Sequence, residues 1–283
     1  MWKQKIGISV GKYFTAPPAE TIECIADTGF DAVSPVWTQD DIMVKTINAA
    51  RECGLYVQSL HAPTKQTSQM WSEDAETARF ALDTFLSSLE DCNRLELPIF
   101  VVHSWATFDF SKNPHEKGLK NFEKLVDKAT EYGVQIAFEN LEGEKFLYAL
   151  MEYFRGNPTV GFCWDSGHEF CYNHSMPLLS DFGDRLIMTH INDNMGARNF
   201  DGTIASRDDL HLLPYDGAAD WDRNLRLLSQ ARRMEILNFE VKPVSWPGQH
   251  ENDIYTRMPL SMYLAEAYKR AAKFAWRYAQ SFE

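Results

Sequence analysis

Four residues that can bind a metal ion or carry a proton stand at the ends of four successive apolar runs. Glu139 follows VQIAF, Asp165 follows VGFCW, His190 follows RLIMT and Glu240 follows MEILNF. A buried parallel strand aims the residue at its carboxyl end out of the sheet, and in a barrel these ends converge on one point. Two Glu, one Asp and one His at that point form an oxygen-rich set suited to a divalent metal ion. The residues therefore predict a metal-dependent enzyme.

Five more residues that can bind a metal ion occupy similar places. They are His61 and His103 at the ends of LYVQSLH and PIFVVH, His168 in WDSGH, and Asp209 and His211 in DDLHLLP. A lone imidazole at a strand end is more often a hydrogen-bonded group than a ligand, and a lone Asp there is often the N-cap of the next helix. Taken together, these residues favour a functional site, because buried carboxylates are costly in free energy unless they are paired or bound to a metal ion. We interpret these five as substrate-binding residues or additional metal ligands.

The elements that must position these residues alternate along the whole chain. The predicted strands are KIGISV, FDAVSP, LYVQSLH, PIFVVH, VQIAFE, TVGFCWD, RLIMTHI and RMEILNFEV, with amphipathic stretches between them. The intervals from Glu139 to Asp165 and from Asp165 to His190 each fit one βα unit of about 31 residues. The longer interval to Glu240 predicts a long loop, roughly residues 192–220. The pattern predicts a (β/α)₈ TIM barrel of the α/β class, with one domain over residues 1–283.

Composition and charge argue against nucleic-acid binding and against a membrane-spanning or secreted protein. The formal net charge of -12 gives no basic footprint for nucleic acid. No apolar run approaches the roughly 18 residues of a membrane span, and MWKQKIGISV lacks the apolar region of a signal peptide. The five cysteines contain no CxxC pair, which suits thiols in a reducing compartment. We expect a cytoplasmic protein that acts on a small molecule.

The segments around these residues carry a family resemblance. HAP, VVH, FEN, WDSGH, HINDN and DLHLLPYDGAADW occur in that order. With them the chain resembles the xylose-isomerase-like TIM barrels over essentially its whole length. That superfamily contains sugar and sugar-phosphate isomerases and epimerases, and also the endonuclease IV family of apurinic-site nucleases.

The resemblance to the ketose epimerases implies one divalent ion, Mn²⁺, Mg²⁺ or Co²⁺, bound by Glu139, Asp165, His190 and Glu240. Such an ion chelates a carbonyl and the adjacent hydroxyl, acidifies the neighbouring C–H and stabilises an enediolate. Glu139 and Glu240 would remove and return the proton. His168, and with it His61 and His103, would then bind substrate oxygens. Trp105 and Trp164, beside strand-end polar groups, are candidates for stacking on the sugar or for ordinary packing.

The resemblance to endonuclease IV implies a different reading, a phosphodiesterase with three Zn²⁺ ions. Its ligands would be all nine residues, His61, His103, Glu139, Asp165, His168, His190, Asp209, His211 and Glu240. HAPTKQ, NLEGEKF and DSGH depart from the nuclease motifs, whereas HLLPYDGAADW is close to the form common in sugar isomerases. The chain also departs from the ketose epimerases, which carry a substrate-binding Arg where Asn194, Met195 and Gly196 stand. We therefore favour a sugar isomerase or epimerase and keep a sugar dehydratase or lyase as an alternative. The particular sugar, its phosphorylation and a homo-oligomeric state stay open.

Overall fold

The chain folds around a closed parallel barrel. The computed structural model describes residues 4–11 and 13–282. Its strands are β1 (Lys5–Val10), β2 (Ala32–Pro35), β3 (Tyr56–Val57), β4 (Leu60–His61), β5 (Ile99–His103), β6 (Gln135–Glu139), β7 (Val160–Asp165), β8 (Leu186–His190) and β9 (Ile236–Phe239). They form two sheets of order β3-β2-β1-β9 and β4-β5-β6-β7-β8, with every strand pair parallel. Parallel bridges Val36–His61 and Ile191–Phe239 join the two sheets. The (β/α)₈ prediction is confirmed.

The third predicted strand, LYVQSLH, is interrupted in the structure. Its first part, β3, pairs with β2, and its second part, β4, pairs with β5. Between them, the backbone N–H of Gln58 still donates to the carbonyl of Val33 at 2.9 Å. The strand therefore changes its pairing partner at Gln58 and Ser59, and the eight predicted strands appear as nine short ones. His61 nevertheless keeps the strand-end position that the sequence predicts.

Helices cover the outside of the barrel. They are α1 (Pro18–Thr28), α2 (Ile42–Glu52), α3 (Ala75–Arg94), α4 (Glu116–Tyr132), α5 (Glu144–Tyr153), α6 (Ser166–Cys171), α7 (Leu178–Phe182), α8 (Trp221–Gln230), α9 (Asp253–Thr256) and α10 (Leu260–Gln280). The carboxylate of Asp74 caps α3 by accepting from the N–H of Thr77 at 2.9 Å. No helix in the described part of the chain combines the length and apolarity that a membrane crossing requires.

Side-chain alternation along the strands decides which groups face the barrel axis. An interior cluster, formed by Ile99, Val101, Ala137, Cys163, Ile187 and Met188, fills the barrel. His103, Glu139 and Asp165 each lie two residues beyond a member of this cluster, so they point to the same interior at its carboxyl end. Apolar packing thus supports the polar groups from below, which holds them on rigid elements.

Candidate metal centre

Glu139 is the hub of the polar cluster at the carboxyl end of the barrel. Its side chain is fully buried, and each of its oxygens faces two imidazoles. Oε2 lies 3.1 Å from His61 Nε2 and 3.2 Å from His103 Nε2. Oε1 lies 2.9 Å from His190 Nδ1 and 3.6 Å from His168 Nδ1. We call His61, His103 and Glu139 the two-histidine group.

The four strand-end residues predicted as metal ligands come together. Glu139, Asp165, His190 and Glu240, which we call the four-ligand group, each offer a ligand atom, and these atoms lie within 4.8 Å of one another. His190 Nδ1 is 2.8 Å from Glu240 Oε2. Asp165 also caps α6, because its Oδ1 accepts from the N–H of His168 at 2.7 Å. The carboxylate of Asp165 therefore both caps a helix and belongs to the four-ligand group.

A third set of potential ligands lies beside the four-ligand group. This loop group consists of His168, Asp209 and His211, whose ligand atoms also lie within 4.8 Å of one another. Asp209 Oδ2 is 2.7 Å from His211 Nε2 and 3.4 Å from His168 Nε2. His211 has a φ of 46°, a left-handed conformation that is strained for a residue other than glycine. Asp209 and His211 therefore approach each other with a left-handed backbone at His211 and not with two extended residues.

The orientation of the imidazoles suits metal binding. In His61, His168 and His211 the Nδ1 atom lies 2.7–3.0 Å from a backbone carbonyl oxygen, that of Ala62, Asn140 and Glu240 respectively. Such a contact fixes the tautomer and leaves Nε2 with a lone pair for a ligand. In addition, the buried Oδ1 of Asp209 has no hydrogen-bond partner among the described residues. The Nε2 atoms of these imidazoles can therefore bind a cation or accept from a hydroxyl group. The three carboxylates and the imidazole of the four-ligand group fit a divalent cation.

The electrostatics of the cluster separate its carboxyl groups. Burial opposes ionisation of Glu139, but the imidazoles of His190 and His103 hold its pKa well below the usual value. Burial raises the pKa of Asp165 to about 6. His190 outweighs burial at Glu240 and lowers its pKa to about 2. Burial also lowers the pKa of His168, but the carboxylates of Asp165 and Asp209 raise it well above its ordinary value.

The residues of this centre differ in exposure. The side chains of Glu240 and Asp209 are 20% and 14% exposed, whereas those of Glu139 and Asp165 are fully enclosed. His61 and His103 are 10% and 9% exposed, so each of the three groups has at least one partly exposed side chain.

The sequence matches a known protein family over most of its length. Residues 22–259 match the family described as xylose isomerase-like TIM barrel. The chain belongs to that family. An uncharacterised protein of Sinorhizobium fredii (strain NBRC 101917 / NGR234), named y4fM, is 29% identical and aligns with 89% of this chain and 91% of its own length.

Solved structures of similar fold include two sugar epimerases. The 3-keto-D-glucoside 4-epimerase YcjR of E. coli has 17% identity and a TM-score of 0.69, covering 96% of this chain and 100% of its own. D-psicose 3-epimerase of Clostridium cellulolyticum H10 has 15% identity and a TM-score of 0.68, covering 96% and 98%. A xylose isomerase domain protein of Planctomyces limnophilus has 13% identity and a TM-score of 0.72, covering 97% and 98%. At these identities the similarity shows the fold.

Trp105 and Trp164, the candidates for sugar stacking or for ordinary packing, are both packed against protein groups. Trp164 is fully buried on the outer face of β7, and its Nε1 donates to Glu169 at 2.9 Å. Trp105 lies parallel to the ring of Phe146, with 4.0 Å between the ring centroids. No face of Trp164 is open to a substrate, because strand alternation sends its side chain away from Asp165.

Asp193 holds the long loop after β8. Its buried carboxylate accepts from the backbone N–H groups of Tyr215 and Ala219 at 2.9 and 3.1 Å and from Trp221 Nε1 at 2.9 Å. These bonds tie both ends of the loop to the barrel. Asp193 therefore has a structural role in holding this loop.

Two charged residues near the centre are not among the predicted site residues. Glu142 is only 4% exposed, and burial raises its pKa to about 7. Lys242 is 2% exposed and lies two residues beyond Glu240. Neither is the last residue of an observed strand, although Lys242 directly follows the predicted strand RMEILNFEV. The repeated acidic residues in FENLEGE and the lysine in FEVKP were visible, but nothing in the sequence showed that they are buried.

Proposed function

We propose that the chain is a divalent-metal-dependent isomerase or epimerase of a sugar or sugar phosphate. The observation that carries the proposal is the four-ligand group, three carboxylates and one imidazole within 4.8 Å of one another at the open end of a barrel. This ligand set favours Mn²⁺, Mg²⁺ or Co²⁺. When bound there, such an ion supplies Lewis-acid polarisation of a substrate carbonyl group.

Residues of the chain then transfer the proton and bind the substrate hydroxyl groups. Glu240, whose side chain is partly exposed, removes the proton from the carbon beside the carbonyl group, and the electron pair moves to the oxygen of an enediolate. Delivery of a proton that has exchanged with water to the other face gives an epimer, and its delivery to the adjacent carbon gives an isomer. Glu139 shares this proton transfer in the two-carboxylate mechanism, although its enclosure by four imidazoles favours a mainly ligand role. His168 binds a substrate hydroxyl, helped by His61 and His103.

The experiment is proton exchange in deuterated water. The metal-loaded enzyme is offered ketoses and 3-keto glycosides, the substrate types named for the two epimerases of similar fold. We expect an epimer or isomer with deuterium at the carbon next to the carbonyl group, and no exchange after chelation. Exchange accompanied by loss of a hydroxyl would instead indicate a dehydratase or lyase. Product formed without deuterium would contradict proton abstraction.

A second candidate, an endonuclease IV-like phosphodiesterase, has one observation in its favour. The loop group and the two-histidine group stand beside the four-ligand group, so three sets of ligands share one centre. Three ions there would clamp a phosphodiester and supply a hydroxide. An oligonucleotide with a single abasic site tests this candidate. Cleavage by zinc-loaded protein, with no sugar exchange, would replace the first proposal with this one.

A further inference from the structure

A lysine lies next to the loop group. Among the described residues, 4–11 and 13–282, Lys242 is the only lysine or arginine that is buried. Its backbone N–H donates to the carbonyl of His211 at 3.1 Å, and its Nζ donates to the carbonyl of Asp209 at 3.2 Å. Lys242 is therefore bonded to the backbone of two of the three residues in the loop group, to Asp209 through its ammonium group and to His211 through its backbone N–H.

Two aromatic rings keep the ammonium group of Lys242 in place. Nζ lies 4.5 Å from the ring centroid of Trp246 and 5.4 Å from that of Tyr13, both within the range of cation–π attraction. Trp246 Nε1 donates to the same Asp209 carbonyl at 2.7 Å. The charge cannot easily swing away from the loop group, since ring contacts and a hydrogen bond restrain it on several sides.

The charge balance differs between the two ligand groups. The four-ligand group contains three carboxylates, so a divalent ion leaves it with a net negative charge. The loop group contains one carboxylate, that of Asp209, and the ammonium group of Lys242 lies beside it, hydrogen-bonded to the backbone carbonyl of the same residue. A divalent ion in the loop group would therefore lie in a site with no net negative charge, close to a second cation. Because Coulomb repulsion between partly buried charges is weakly screened, this neighbour disfavours the ion.

We propose that Lys242 keeps the loop group free of a metal ion, so that His168, Asp209 and His211 bind hydroxyl groups of the substrate instead. The inference deepens the proposed function, on which the substrate role rests, because it assigns the loop group to the sugar. It also gives a physical reason why a chain with all nine potential ligands need not bind three ions. The carboxylate of Asp209, whose side chain is 14% exposed, is the acceptor that a sugar hydroxyl would use.

The test counts ions in variants of Lys242. Lys242→Gln keeps a donor for the Asp209 carbonyl but removes the charge, Lys242→Met removes both, and Lys242→Arg keeps the charge. Each purified protein is dialysed against Zn²⁺ or Mn²⁺, its ions per chain are measured by elemental analysis, and Zn²⁺ affinities are measured by calorimetry. Lys269→Met is the control, because the Lys269 side chain is 74% exposed on α10.

We expect the wild type, Lys242→Arg and Lys269→Met to bind the same number of ions, fewer than three. Lys242→Gln should gain one ion, with an affinity for the added site at least about tenfold above that of the wild type. Three ions in the wild type, or no gain in Lys242→Gln, would overturn the proposal. A loss of ions in both Lys242→Gln and Lys242→Met would show that the lysine supports metal binding, which also overturns it. Circular dichroism identifies a misfolded Lys242→Met, and Lys242→Gln then decides.

The ion count and the sugar assay fail independently. Absence of deuterium exchange in the wild type would defeat the proposed function but leave the metal count intact. Conversely, exchange in a wild type that binds three ions would retain sugar chemistry and remove the role assigned to Lys242.

Discussion

At the scale of single residues, Glu139 determines whether the centre can bind metal at all. Glu139→Gln keeps the shape but replaces one acceptor oxygen with an NH₂ donor, which would face two of the four imidazoles around it. Because Glu139 belongs to both the two-histidine and the four-ligand groups, we expect metal affinity and turnover each to fall at least about 100-fold. Elemental analysis and the exchange assay measure this. Glu131→Gln, on an exposed part of α4, should behave as wild type; retention of metal by Glu139→Gln would contradict the assignment.

Residue type at a strand end was enough to find most of this centre. Glu139, Asp165, His190 and Glu240 could be grouped from sequence because the ends of parallel barrel strands must converge. Such reasoning fails for loop residues, whose position depends on contacts far along the chain. His211 approaches Asp209 with a left-handed backbone at His211, which no local sequence pattern predicts. Burial of Glu142 and Lys242 likewise follows from how the loops pack, which the sequence does not display.

At the scale of elements, α6 shapes the four-ligand group through a glycine. A Cβ on Gly167 would lie 1.8 Å from Asn192 Oδ1. Asn192 in turn donates through Nδ2 to both carboxylate oxygens of Asp165, at 3.2 and 3.0 Å. Position 167 in the first turn of α6 must therefore have no side chain. Only then can Asn192, in the loop after β8, hold the ligand Asp165 at the end of β7.

Gly167→Ala should weaken metal binding although alanine ordinarily favours a helix by about 1 kcal/mol. The added methyl group displaces Asn192, and overpacking costs about 1–3 kcal/mol in the free energy of unfolding. We expect metal affinity to fall about 10- to 100-fold, as for other residues that orient a ligand. Asn192→Ala removes the same support without a clash, so the double variant should lose little more affinity than either single variant. Additive losses, or unchanged affinity in Gly167→Ala, would show that Asn192 does not transmit the effect. Urea titration and zinc calorimetry provide the two measurements.

Elements were easier to predict than their boundaries. The strand-to-helix alternation determined the barrel, because right-handed crossovers leave few other topologies. The interruption of LYVQSLH could not be anticipated, since its residues favour a strand throughout and the break arises where pairing passes from β2 to β5.

At the scale of the whole molecule, a cluster of imidazoles and carboxylates links metal binding to pH. In the absence of metal, burial lowers the pKa values of His61, His168, His190 and His211, but neighbouring carboxylates, preceded at His190 by Cys163, outweigh it and raise all four. Burial lowers the pKa of His103, which acts in the opposite direction only below pH of about 6.5. The folded protein then holds protons that the unfolded chain releases above pH of about 6.5. Stability from these groups is fully present below that pH and is lost as pH rises through the folded values. The lowered pKa values of Glu139 and Glu240 act in the opposite direction, but only below pH of about 4.5.

The metal-free protein should therefore become less stable as pH rises from about 6.5 to 9. Metal binding requires unprotonated imidazoles, so the affinity of the centre increases over the same range. The difference in Tm between metal-loaded and chelator-treated protein should widen with pH, and scanning calorimetry at several pH values measures it. His250→Ala, which removes an exposed imidazole paired with Asp253, should show the same widening as the wild type. A difference in Tm that stays constant or narrows would mean that the imidazoles of the centre do not exchange protons for metal.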